Sequence, residues 1–201
     1  MTSSVPWRQR LSTGTEDTQN EVVRLYQQTR HSKAYVPTMI WGTIQTEAYA
    51  TVILRQVVGF LDVPDDVSAG VAKRMERQQV LYDGKHQYDV ILGEQALYTN
   101  IGGPTVMRGQ MERLLRDFDL PSLTLGILPV TAEVGVVPMP GFNMYDDNRA
   151  SYELVSTGVD ITDPAELALH SKAFDALREA AHFGDPAKDL INKALTSWSN
   201  G

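Results

Sequence analysis

Helical periodicity dominates the first part of the chain. Apolar residues recur at spacings of three and four over residues 16–30, from Thr46 to about residue 60, and from Asp65 or Asp66 to Tyr82. This spacing is typical of amphipathic helices. Thr46 stands where its hydroxyl can cap the second of these helices. Residues 1–15 are rich in serine and threonine without such periodicity, so we expect a flexible N-terminus.

Short apolar runs in the middle of the chain predict β-strands at residues 88–92, 123–130, 142–145 and 151–155. Asp146, Asp147 and Asn148 separate the last two runs and indicate a hairpin. Further helices are predicted after Gly103-Pro104 and after the two Asp-Pro pairs near residues 163 and 185. The sequence therefore predicts an α+β fold. We expect a single domain over residues 16–201, with helices at both ends around a small sheet of about four strands.

Composition and charge narrow the classes of function. The 201 residues are 42% hydrophobic, which suits one domain with its own core. Cysteine is absent, which excludes disulfides, thiolate metal sites and a cysteine nucleophile. No apolar run approaches the length of a membrane span and no signal-peptide core is present, so we expect a cytoplasmic protein without a membrane partner. The net charge of −7 opposes attraction to phosphate backbones, so direct nucleic-acid binding is not expected.

Two groups of polar residues on the predicted helices are candidates for ligand binding. Gln45, at a helix start beside Tyr49, can present its amide to a ligand, or it can simply belong to a helix cap. Arg74, Arg77 and Gln78 form the second group, because Arg74 and Gln78 lie four residues apart on one helix face and can hold a carboxylate or a phosphate. Alternatively, Arg74 pairs internally with an acidic residue such as Glu94.

Two carboxylates adjoin strand-like runs. Glu94 follows one run and Glu153 lies within another, beside Tyr152, so both are expected to have limited contact with water. Desolvation raises the pKa of a carboxyl group toward the range needed for general acid–base catalysis. Alternatively, each accepts a hydrogen bond from an arginine or caps a helix. The four histidines show no metal-ligand spacing, so neither a metal nor another cofactor is expected, and His170 is predicted to lie near the core.

Four spaced blocks carry a resemblance to a known family. They are Ile44–Ala50 (IQTEAYA), Arg74–Leu81 (RMERQQVL), Glu94–Leu97 (EQAL), and Gly102-Gly103-Pro104 with Val106, Met107 and Gln110. In that order they resemble the uncharacterised C-terminal domain of XRE-family, antitoxin-like helix-turn-helix transcriptional regulators of bacteria. The resemblance spans nearly the whole chain. Because the first block begins so early, the resemblance implies a stand-alone domain that lacks the helix-turn-helix.

One departure from the family pattern falls next to the first block. Relatives usually read Pro-Gly-Leu-Leu there, whereas this chain has Trp41, Gly42, Thr43 and Ile44. An indole supplies a large apolar face at small entropic cost. We therefore expect Trp41 to line a reshaped ligand pocket.

These observations support two hypotheses of different classes. In the first, the protein binds a small organic molecule or a small partner protein, alone or as a homodimer. The pocket would lie between the helix from Thr46, the helix carrying Arg74 and the sheet. Its predicted ligand-binding residues are Trp41, Gln45, Tyr49, Arg74, Gln78 and Tyr152. In the second, the protein is a cofactor-independent enzyme of specialised metabolism, an isomerase, cyclase or dehydratase, in which Glu94 or Glu153 transfers protons.

Overall fold

A computed structural model describes residues 1–199 and places one mixed sheet at the centre of the molecule. Its strands are β1 (Thr2–Pro6), β2 (His31–Val36), β3 (Gln87–Gly93), β4 (Leu123–Leu128), β5 (Phe142–Tyr145), β6 (Arg149–Glu153) and β7 (Thr157–Ile161). They are arranged in the order β1-β7-β6-β5-β2-β3-β4. Strands β2, β3 and β4 run parallel, and the other neighbouring pairs are antiparallel.

The helices are α1 (Trp7–Arg10), α2 (Glu16–Gln28), α3 (Glu47–Leu61), α4 (Val67–Arg77), α5 (Gln95–Tyr98), α6 (Pro104–Asp117), α7 (Pro164–Ala180) and α8 (Asp185–Ser199). Two 3₁₀ turns, Gly42–Ile44 and Gln78–Leu81, precede α3 and follow α4. Helices α3 and α4 connect β2 to β3, and α6 connects β3 to β4, because parallel neighbours need crossover connections. No helix in residues 1–199 combines the length and apolarity needed to cross a membrane.

The predicted size of the sheet was wrong, although the α+β class fits. The sheet has seven strands because β1, β2 and β7 join the four that the apolar runs indicated. Strand β2 begins with the polar residues His31-Ser32-Lys33 and has only three apolar residues after them, yet it lies between β3 and β5. Pairing on both sides outweighs its weak local preference. The first element of the chain is also a strand, since β1 from the segment 1–15 pairs with β7.

Several local predictions are confirmed. The Thr46 hydroxyl accepts a hydrogen bond from the Tyr49 N–H at 3.2 Å and caps α3. The β5–β6 hairpin turns through Asp146 and Asp147, which adopt left-handed φ angles of 48° and 52°. Such angles match the twist of a tight hairpin and are tolerated by aspartate.

The apolar core lies on both faces of the sheet. The larger cluster joins the sheet to α2, α3, α6 and α8, and the smaller one joins the opposite face to α7. Helix α4 packs mainly on α2 and α3, where Leu54, Val67 and Val71 form a separate small cluster. This second helical layer leaves a space between α4 and strand β5 of the sheet.

Candidate ligand-binding cavity

A cavity of about 720 Å³ occupies the space between the helical layer and the sheet. Helices α2, α3 and α4 form one side of it. The residues after β2, strand β5 and the turn between β6 and β7 form the other side, and α1 contributes to the edge. The cavity adjoins α3 and α4, the two helices named in the sequence prediction, and β2, β5 and the end of β6 provide its sheet wall. The prediction that a ligand binds there stays a prediction.

Arg74 lies in the wall of this cavity and is held by two glutamines. Its Nε donates to Gln19 Oε1 at 3.2 Å, and its Nη1 donates to Gln45 Oε1 at 2.8 Å. Gln45 itself donates to the Ile40 carbonyl at 2.7 Å, and Gln78 Nε2 donates to the Gln45 carbonyl at 2.7 Å. The guanidinium of Arg74 is thus fixed by neutral partners, and within residues 1–199 it forms no salt bridge with Glu94 or any other acid.

Arg77, one helical turn further along α4, is more weakly held. Its side chain lines the cavity and is only 6% exposed. The Cζ atom lies 5.1 Å from the centre of the Tyr26 ring. The Nε–H is buried and has no hydrogen-bond partner in the described part of the chain. A Cβ atom at Gly42 would lie 2.6 Å from Arg77 Nη2, so the absence of a side chain at Gly42 provides the space for this guanidinium.

Burial and the neighbouring charge of Arg77 act on the pKa of Arg74. Desolvation and the charge of Arg77 lower the pKa of Arg74 to about 10, while Glu153 acts in the opposite direction. Arg74 therefore stays protonated at neutral pH. Three arginines, Arg10, Arg74 and Arg77, line the cavity against one carboxylate, Glu153. An acidic protein thus carries a locally positive cavity.

Aromatic side chains form the wall next to Arg77. Tyr26 lies 5.9 Å from Trp41 and 5.7 Å from Tyr145, measured between ring centres. The Trp41 indole N–H donates to Asn143 Oδ1 at 3.3 Å, which fixes the ring against β5. Burial raises the pKa of Tyr145 well above its ordinary value, so its hydroxyl stays neutral. The wall offers apolar ring surface with a few polar atoms.

The mouth of the cavity is apolar and exposed. Phe60 at the end of α3 is 72% exposed, and Leu154 and Val155 in the β6–β7 turn are also exposed. Trp7 from α1 closes one side, because its indole N–H donates to the Leu154 carbonyl at 2.7 Å. Glu153, adjacent to this turn, is exposed.

The cavity brings together three of the residues predicted from the sequence, Trp41, Arg74 and Glu153. Gln45 and Gln78 lie behind Arg74 and orient it. Tyr49 is fully buried in the core, where its hydroxyl accepts a hydrogen bond from the Ile40 N–H at 3.2 Å.

Tyr152 and Glu94 lie outside the cavity wall. The Tyr152 hydroxyl and His170 Nε2 are 2.8 Å apart, and His170 Nδ1 lies 2.6 Å from the Glu166 carbonyl. Since a carbonyl only accepts, Nδ1 donates to Glu166, and in the tautomer that carries its proton on Nδ1 the Nε2 atom accepts a hydrogen bond from the Tyr152 hydroxyl. His170 is thus a buried, fully bonded histidine. Glu94 is half-buried at the end of β3 and accepts a hydrogen bond from the Val130 N–H at 3.0 Å.

Sequence reasoning missed Tyr26 and Tyr145 of the cavity wall, and it grouped Arg77 with Arg74 and Gln78 without assigning Arg77 as a ligand-binding residue. The spacing of Arg74 and Arg77, three apart on one helix, was a usable signal for Arg77. Tyr26 and Tyr145 are far apart in the chain and meet only through the β2–β5 pairing, so no local pattern indicates them. Among residues 1–199, no group of three or more His, Asp or Glu side chains is arranged to hold a metal ion.

Comparisons with known proteins place the chain in an uncharacterised family. The model of a family described as "Domain of unknown function (DUF5753)" matches residues 19–193. No curated protein matches. Among solved structures, NucT from Helicobacter pylori has 9% identity and a TM-score of 0.49, covering 92% of this chain and 99% of its own. TrmBL2, an archaeal chromatin protein, has 12% identity and a TM-score of 0.40, covering 90% of this chain and 54% of its own. At these values neither neighbour bears on function.

Proposed function

The chain belongs to the DUF5753 family, and we propose that it is a small-molecule-binding module of the regulator type. Domains of this family are often paired with a helix-turn-helix domain of the XRE type. A domain in that position is well suited to sense a ligand on behalf of a DNA-binding neighbour. The proposed guest is a small organic molecule that enters between α2, α3, α4 and β5.

The observation that carries this proposal is the cavity itself. Ligand sites in proteins typically enclose about 300–1,000 Å³, are mostly apolar and contain a few well-placed polar groups. The cavity has about 720 Å³, aromatic walls from Tyr26, Trp41 and Tyr145, and buried donors from α4. Its residues come from seven separate segments of the chain, so its shape is set by the whole fold.

The catalytic alternative has less support from this geometry. Glu94 and Glu153 were its two proton-transfer candidates, and the cavity contains only Glu153 among the described residues. Glu94 is engaged with the backbone at Val130. Binding without a reaction is therefore the function that the cavity supports best.

A variant that fills the cavity tests the proposal. Val57 is half-buried and lines the cavity, whereas its neighbour Gln56 is exposed and does not. Val57→Trp is expected to occupy the space, and Gln56→Trp adds the same indole to the outside of the same helix. A small-molecule library is screened by thermal shift, and each hit is repeated on both variants.

A ligand at about one hundred times its Kd stabilises a protein by about 2.7 kcal/mol, which corresponds to about 5–10 °C for a domain of this size. We expect this shift in the wild type and in Gln56→Trp, and its loss in Val57→Trp. Both variants are first shown to fold by circular dichroism. Hits that stabilise Val57→Trp as much as the wild type would place ligand binding elsewhere and contradict the proposal.

A further inference from the structure

The buried guanidinium of Arg77 lacks an anionic partner within residues 1–199. It carries a positive charge, is 6% exposed and forms neither a salt bridge nor a hydrogen bond within residues 1–199. Its contacts are the face of Tyr26 at 5.1 Å and the space above Gly42. Buried charges in proteins are normally paired, because desolvation of an isolated charge is costly. An unpaired buried charge that lines a cavity therefore indicates a partner that arrives from the cavity.

Arg74 strengthens this indication. The two arginines lie three residues apart in the last turn of α4, so their positive charges are close and repel each other. Two glutamines fix Arg74 through neutral oxygens, and no carboxylate in the described chain forms a salt bridge with it, although the more distant charge of Glu153 acts on it favourably. An anion between the two guanidinium groups would relieve both the repulsion and the desolvation.

We infer that the ligand of this cavity is an organic oxyanion, whose carboxylate or phosphate head is bound by Arg77 with support from Arg74. This inference rests on the proposed function, because it assigns the chemical class of the guest in the same cavity. Charge-assisted hydrogen bonds from a guanidinium to an oxyanion are among the strongest in proteins. The Nη groups of Arg77, which unlike Nε are not sealed from the cavity, supply the donors for this head group.

The remainder of the cavity defines the rest of the ligand. Trp41, Tyr26 and Tyr145 present ring surface beside the arginines, and the exposed mouth carries Phe60 and Val155. The ligand thus has an anionic head at the buried end and an aromatic or aliphatic body that extends toward the mouth. Free inorganic phosphate lacks this body and is expected to bind weakly.

A pair of fluorescent probes tests the assignment. Anilinonaphthalene sulfonate carries an oxyanion on an aromatic body, and phenylnaphthylamine has the same skeleton without the sulfonate. We expect both to bind the wild type competitively, with the sulfonate tighter. Arg77→Gln removes the charge, and Arg77→Lys keeps the charge without the planar fork. Arg24→Gln, at an exposed position on α2 outside the cavity, is the matched control.

Arg77→Gln is expected to weaken sulfonate binding about tenfold or more while leaving phenylnaphthylamine within about twofold. Arg77→Lys should retain part of the affinity, and Arg24→Gln should match the wild type. Displacement by benzoate and by phenyl phosphate then separates carboxylate from phosphate heads, with benzyl alcohol as the neutral competitor.

Two results would overturn the inference in distinguishable ways. If both probes bind and Arg77→Gln changes neither, or weakens both equally, the cavity is a binding site but Arg77 is not its anion site. If neither probe binds the folded wild type, the proposed function fails and the inference fails with it. Circular dichroism and melting curves of each variant confirm that the fold is intact.

Discussion

Replacing Arg77 by methionine should stabilise the protein in the absence of a ligand. The guanidinium is buried without an acidic partner in residues 1–199, and its Nε–H has no acceptor there. Methionine is unbranched, favours helices and adapts to irregular spaces. The substitution removes an uncompensated charge and keeps apolar contact with Tyr26.

The magnitude follows from opposing contributions. Leaving a buried charge without its partner costs about 3–5 kcal/mol. The Tyr26 ring offsets about 0.5–2 kcal/mol of this cost, and the position of Arg77 in the last turn of α4 offsets about 0.3–1 kcal/mol. The guanidinium also faces an open cavity, which reduces the cost further. We therefore expect a net gain of about 1 kcal/mol, or about 2–4 °C in Tm.

Arg74→Met provides the contrast, because it should lower stability. Its guanidinium satisfies the buried side-chain oxygens of Gln19 and Gln45, at 3.2 and 2.8 Å. Each acceptor left without a donor costs about 1–3 kcal/mol. Urea unfolding followed by circular dichroism measures both variants beside the wild type. If Arg77→Met lost as much stability as Arg74→Met, the Arg77 guanidinium would be a structural element and our reasoning about its unmet charge would be refuted.

Three further predictions concern other residues. Trp41→Ala should weaken phenylnaphthylamine binding about tenfold by removing the indole face of the cavity; unchanged affinity in a folded variant would move the pocket away from Trp41. Glu153→Gln should strengthen anilinonaphthalene sulfonate binding at low salt, with the gain shrinking as salt screens the charge; a loss of affinity would show that Glu153 contacts the ligand favourably. Burial alone would raise the pKa of Asp66, but hydrogen bonds from Glu16 and Thr15 hold the pKa below its ordinary value. The contribution of Asp66 is therefore present above the unfolded pKa of about 3.9 and is lost as pH falls through the folded pKa. Asp66→Asn should show a flatter decline in stability below about pH 4, and an unchanged acid limb would contradict this.

The helices were predictable from the sequence because their information is local. The apolar spacing and the caps at Thr46 and Asp163 lie within a few residues of the helices that they start. Strand β2 was not predictable in this way. It begins with His31, Ser32 and Lys33 and has only three apolar residues after them, and the strand forms because β3 and β5 supply hydrogen-bond partners on both sides.

The candidate site was predictable only in part for the same reason. Trp41 departs from the family pattern, and Arg74 lies in one of the four blocks that resemble the family, so both were predicted as ligand-binding residues. Both line the cavity. Within residues 1–199, Arg74 has hydrogen-bond partners and Arg77 has none, because only the Arg74 side chain contacts the buried amides of Gln19 and Gln45. These hydrogen bonds join α4 to α2 and to the residue pair before α3, which are far apart in the sequence, so no local pattern predicts them.

Side-chain NMR of the arginines gives the most direct test of the binding cavity and its anion site. The Nε–Hε resonance of Arg77 is assigned in ¹⁵N-labelled protein by its disappearance in Arg77→Met. On titration with anilinonaphthalene sulfonate, we predict a downfield shift of this resonance that saturates with the fluorescence Kd. The resonance of Arg24 should not move. Saturable binding that leaves the Arg77 resonance unchanged, or that perturbs only exposed arginines, would contradict the assignment of this cavity as the ligand site.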